Sequence, residues 1–243
     1  MASTSETGHA KNVANFQDLI AFVTGYGATY NPSKNALKLP QLTALQTTSQ
    51  AKLAEVVAKN TSFNNAVNDR MAAFDGLKAL STRLINALDS TDATAEKIED
   101  AKVFNRKLQG KKASSADAPT DPNTPAPETI SASQQSYDQQ IQHFAGLISV
   151  LQTEPSYSPN ELELKIATLT AKQADLTAKN NAVSTAYSTI SNTRIARNKT
   201  LYDPNTGLVD TALETKKYIK SIYGASSPEF TQVNKIQFKN LKK

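Results

Sequence analysis

The chain has 243 residues, with 27 Lys and Arg against 22 Asp and Glu, and it contains no cysteine or tryptophan. Without cysteine, disulfides, thiolate metal sites and cysteine nucleophiles are excluded. Hydrophobic residues make up 39% and aromatic residues only 7%, which suits thin helical layers packed by Leu, Ile, Val and Ala rather than a thick core.

The opening stretch MASTSETGHAKNVANF lacks the apolar segment of a secretory signal. No run approaches the length of a transmembrane helix, so a cytoplasmic location is the default expectation, with export by another route left open. Residues 1–10 read as a flexible terminus that includes His9. A short amphipathic helix is predicted over residues 11–25, where Phe16, Leu19, Ile20 and Val23 fall at i, i+3, i+4 and i+7. A turn at Tyr30-Asn31-Pro32-Ser33 leads into a long helix predicted over 34–74, with Ser33 as a candidate cap. A kink or weak point is expected at Gly76, then a helix over 77–89 and a short amphipathic one carrying Glu96, Glu99 and Asp100.

Residues 110–133, GKKASSADAPTDPNTPAPETISAS, have almost no large apolar side chains and several prolines. They read as a linker. Beyond it the pattern repeats. Phe144, Leu147, Ile148 and Leu151 mark a helix over 134–153, Tyr157-Ser158-Pro159-Asn160 a turn, and 160–202 a second long helix opened by Glu161 and Glu163. At an offset of 127 residues, positions 30–70 contain 13 identities to 157–197 without a gap, where composition alone gives roughly three. Residues 11–109 and 134–243 are therefore expected to be two tandem helical repeats that form one domain.

In the second long helix Leu162, Leu169, Leu176, Val183 and Ile190 recur every seven residues beside a row through Ile166, Gln173, Asn180, Tyr187, Arg194 and Leu201, a heptad seam. Gln46 and Gln173 occupy equivalent seam positions, as do Arg70 and Arg197. Such polar members are expected to fix register; the alternative is a symmetric ligand or ion site. The fold expected is all-α, an elongated helical, coiled-coil-like bundle with pseudo-twofold symmetry. Downstream, a break at Tyr202-Asp203-Pro204-Asn205-Thr206-Gly207 precedes a helix over 208–223, and Ser227-Pro228 opens a last one. QVNKIQF at 232–238 is the one candidate strand.

Lys216 to Phe238, KKYIKSIYGASSPEFTQVNKIQF, resembles the C-terminal end of a group of uncharacterised bacterial helical proteins. The resemblance covers about a tenth of the chain. It implies a bacterial origin and carries no activity or site residues with it.

Chemistry-bearing motifs are sparse. His143 reads as a helix-edge residue, and no Glu-x-x-His pair, glycine-rich phosphate loop or nucleophile elbow is present. No catalytic residue, cofactor, metal or small-molecule substrate is implied. Basic residues gather late in the chain: Arg194, Lys199, Lys216, Lys217, Lys220, Lys239 and Lys242 are candidate contacts for an anionic partner. The function expected is a non-enzymatic structural or protein-interaction scaffold that binds another protein or itself. The alternatives are a membrane-active bundle of the pore-forming type and a nucleic-acid-associated protein using its basic C-terminal region.

Overall fold

The computed structural model describes residues 4–110 and 135–240, so most of the expected linker and Lys242 lie outside the described residues. Among them the chain forms eight α-helices and no strand: α1 (Thr4–Gly25), α2 (Leu39–Phe74), α3 (Leu77–Asp89), α4 (Ala95–Gln109), α5 (Tyr137–Gln152), α6 (Ile166–Tyr202), α7 (Leu208–Tyr223) and α8 (Pro228–Asn234). The protein is an all-α helical bundle. The candidate strand at 232–238 is instead the end of α8 followed by irregular chain.

Local chemistry sets several helix ends. Thr94, Ser136 and Ser227 cap α4, α5 and α8 by accepting from the backbone N–H three residues on. Gly110 and Gly76 take left-handed φ values of 72° and 73°, which a glycine adopts without steric cost. Gly76 does more than weaken a helix: it separates α2 from α3, and the Asp75 carboxylate accepts from its N–H at 3.0 Å.

Both long helices start later than the sequence suggested. A single 3-10 turn comes first, at Asn35–Leu37 and at Leu162–Leu164. The cause is a buried hydrogen bond. Tyr30 donates its hydroxyl to the Leu37 carbonyl at 2.7 Å, and Tyr157 donates to the Leu164 carbonyl at 2.9 Å. Lys38 and Lys165 then run extended, at ψ 146° and 139°. Burial raises both tyrosine pKa values to about 12, so the phenols stay protonated donors throughout the physiological range.

The N-terminal expectation is also corrected. α1 begins at Thr4, and His9 is buried at 4% exposure. Its Nδ1 lies 2.6 Å from the Tyr202 hydroxyl. Asn12, equally buried, donates to the same hydroxyl and to the Lys239 carbonyl, and accepts from the Lys239 N–H. Buried polar side chains are tolerated where their bonds are made; these tie α1 to α6 and to the C-terminal segment.

The chain divides into two compact units that do not coincide with residues 11–109 and 134–243. Unit one comprises Met1–Phe63 and Ala186–Lys243; unit two is Asn64–Thr185. The division falls inside α2 and inside α6. In unit one, α1, the start of α2, the end of α6, α7 and α8 enclose a core around Phe16, Leu19, Leu42, Leu201, Leu208 and Ile219. In unit two, the end of α2, α3, α4, α5 and the start of α6 enclose Phe74, Leu84, Leu88, Phe144, Leu147 and Leu169. Each unit thus uses both halves of the sequence. Within each, α2 and α6 run antiparallel: Asn60 meets Arg194 and Phe63 meets Tyr187 in unit one, while Asp69 meets Lys179 and Ala73 meets Lys172 in unit two.

Candidate functional site

The four polar seam positions have different surroundings. Gln46 is buried, and neither its amide nor the Ser49 hydroxyl one turn on has a hydrogen-bond partner among the described residues. Gln173 is half-buried. Arg197, 2% exposed, directs Nε and Nη2 to the Asn198 side-chain oxygen at 3.1 and 2.9 Å. Arg70 stands in a network of unit two. Its Nη1 donates to Asn180 at 3.1 Å, its guanidinium lies 4.0 Å from the centre of the Tyr137 ring, and Asn180 donates onward to Asp138 at 2.7 Å. Phe74 meets the same ring edge-on at 4.7 Å. The network joins α2, α5 and α6 through charge-assisted and cation–π contacts. Tyr137 and Asp138 carried no signal in the sequence, because they sit about two turns before the apolar stripe that starts at Phe144 of α5.

The basic positions do not act as one group. Arg194 donates to Asn60 within the helix pair. Lys216 is half-buried and donates to the Asn234 and Ile236 carbonyls at 3.2 and 2.9 Å, capping the C-terminal end of α8; burial lowers its pKa. Lys199, Lys217, Lys220 and Lys239 are exposed, and the Lys220 ammonium lies 5.6 Å from the centre of the Phe230 ring. Two of the acidic residues at helix positions have local partners: Glu99 pairs with Arg106 at 2.6 Å and Glu163 with Arg83 at 2.5 Å, both at the surface. Among the described residues no group of three or more His, Asp or Glu is placed to hold a metal ion.

His143 is not a helix-edge residue; it is 8% exposed, and its Nε2 has no hydrogen-bond partner among the described residues. Desolvation, reinforced by the Lys107 charge, lowers its pKa below 6.5. The unfolded chain therefore binds the proton more readily, so His143 favours folding above the unfolded pKa and penalises it as pH falls below. Urea unfolding of unit two is expected to weaken between about pH 7.5 and 5, and less steeply in His143→Gln. Parallel pH profiles for the two proteins would contradict this.

Folding also sorts charge. Unit one holds 15 Lys and Arg against 7 Asp and Glu, whereas unit two holds 12 against 15. Several unit-one acids are engaged: Glu55 pairs with Lys52, Glu214 with Lys34, and Asp210 accepts from the Asn205 N–H. Each ion pair takes one cation with one acid, so the basic excess of unit one persists whether or not they form.

One face of α1 carries Lys11, Asn15, Asp18 and Phe22, spaced so that each lies above the last. It borders α8 and the segment after it, which Asn12, Asn15 and Lys216 hold in place through backbone atoms of residues 234–239. Two hollows lie along this border. An apolar one of about 380 Å³ is lined by Ala21, Phe22, Gly25, Tyr26 and Gln232. A polar one of about 290 Å³ is lined by Lys11, Asn15, Asp18, Lys235, Ile236 and Gln237.

No family model matches the sequence, and neither a curated protein nor a solved structure matches it.

Proposed function

We propose that the protein is a non-enzymatic helical scaffold, made from a duplicated unit, that works by holding another protein or a second copy of itself. The carrying observation is that large apolar side chains stay exposed on α2 and α6 within unit one: Val57, Tyr187 and Ile195, at 67%, 62% and 59% exposure, with Tyr187 packed against Phe63 of the facing helix. We read them as contacts for a partner or a second copy. The duplication is supported by the 127-residue offset and by the matching Tyr30–Leu37 and Tyr157–Leu164 bonds. It is supported too by the fully buried Phe16 and Phe144 at the equivalent place in α1 and α5. A heptad-like seam accounts for the buried row Leu169, Leu176, Val183 and Ile190. The C-terminal resemblance fits a bacterial source.

The test is sedimentation velocity together with cross-linking mass spectrometry on the full chain in cells that express it. Self-association, or a reproducible partner cross-linked beside Val57, Tyr187 and Ile195, is expected, and the triple serine variant should lose it. A chain that stays monomeric and gathers no reproducible partner overturns the reading.

A second reading, association with nucleic acid, draws on the lysine excess of unit one. It requires duplex binding that falls steeply with salt. The pore-forming reading has less support, since no helix among the described residues is long and apolar enough to cross a membrane.

A further inference from the structure

We propose that the two hollows along α1 form one docking groove for a peptide segment of a partner protein, with an apolar anchor at one end and an acidic residue at the other. The proposal rests on the scaffold reading and names the partner's chemistry.

The groove is bipolar. Phe22 and Tyr26 line its apolar end, and Phe22 is 36% exposed. Lys11 and Lys235 line the other end, both exposed and neither in an ion pair among the described residues. Phe22 lies eleven residues beyond Lys11 on α1, which is about 16 Å of helix axis. Five extended residues, or three turns of helix, cover that distance.

Three features favour a peptide over other anionic ligands. First, the exposed Gln232 carboxamide lines the apolar half, while the Asn15 amide is already committed to the Gln237 carbonyl. A bound acyl chain would desolvate the Gln232 carboxamide without pairing it, a cost that peptide N–H and C=O groups offset. Second, Asp18 lines the polar hollow beside Lys11 and Lys235. A uniformly negative partner, such as a nucleic acid backbone or an anionic bilayer, meets repulsion there; a patterned peptide does not. Third, the exposed cations are lysines, point charges that suit a single carboxylate and lack the planar fork used for bidentate phosphate recognition.

The test is selection of a displayed random peptide library, about 12 residues long so that it covers the span extended or helical, on the full chain. Recovered peptides should combine aromatic or large aliphatic residues with Asp or Glu. Anisotropy with the best peptide should show affinity reduced about tenfold or more in Phe22→Ser and in Lys235→Glu, against little change in Lys38→Glu, which alters charge equally outside the groove. A peptide with its acid changed to lysine should regain affinity for Lys235→Glu, an outcome that misfolding cannot produce.

The proposal fails if no peptides are enriched, if they lack acidic residues, or if Lys38→Glu weakens binding as much as Lys235→Glu. It also fails if phosphatidylserine vesicles or duplex DNA bind instead and Phe22→Ser leaves them bound. Partners cross-linked beside Phe22 and Lys235 that are kept by a Phe22→Ser, Lys235→Glu double variant would reject the groove and leave the scaffold reading, which draws on Val57, Tyr187 and Ile195, standing. Absence of any partner or self-association in the unaltered chain rejects the scaffold itself.

Discussion

Truncation of Phe144 to alanine is expected to remove about 3–5 kcal/mol of stability from unit two. The ring is fully buried on α5 and belongs to the same core as Leu84 and Leu88 of α3 and Leu108 of α4. The loss combines the transfer free energy of the ring with the cavity left among neighbours that are themselves helix-bound. Since domains are stable by only about 5–15 kcal/mol, the variant will be marginal. Phe16→Ala should do the same to unit one, where the ring is equally buried. Hydrogen exchange distinguishes the two: protection should fall first within residues 64–185 for Phe144→Ala, and within 1–63 and 186–243 for Phe16→Ala. A loss below about 1 kcal/mol in either variant would mean that the core repacks.

Gly207→Ala is expected to cost about 3 kcal/mol, the upper part of the usual range for overpacking. The reason is space. Gly207 has φ −69°, open to any residue. A β-carbon placed there would lie 2.6 Å from the Asp203 nitrogen, 2.8 Å from its oxygen and 2.9 Å from the Tyr202 nitrogen. These are backbone atoms, so no rotamer relieves the clash. The turn must open, which breaks the 2.8 Å bond from the Gly207 N–H to the Asp203 carbonyl and loosens the start of α7. Gly76→Ala gives the contrast. It has φ +73°, and an added methyl would meet nothing within 4 Å, so only the left-handed backbone penalty of about 1–2 kcal/mol applies. Thermal denaturation of the pair should rank Gly207→Ala the lower; the reverse order would show that the turn yields freely.

The helices themselves were readable because their signals are local. Apolar residues at i, i+3, i+4 and i+7 mark which side of α1 and α5 must be covered, and Ser227 with Pro228 marks where α8 begins. Periodicity states that a face needs cover without stating which helix supplies it, so the exchange of elements between halves was hidden. The 3-10 turns were missed because each depends on a tyrosine hydroxyl reaching a carbonyl seven residues later. His9 looked like solvated terminus, and Asn12 an ordinary polar position of the first helix, because their partners, Tyr202 and Lys239, lie about 190 residues or more away. The groove escaped for a similar reason: Lys11 and Lys235 come from opposite ends of the chain, and counting charge along the sequence never places them together.

The division of the chain also imposes an order of events at the ribosome. Unit two is one continuous stretch, Asn64–Thr185, and can consolidate as soon as its last helical turns emerge. Unit one joins the first 63 residues to the final 58. Its early-made part, with the Phe16 and Leu19 stripe uncovered, must wait through the synthesis of everything between. Translation at roughly 5–20 residues per second makes that interval many seconds, during which the nascent α1 is an open target for a chaperone.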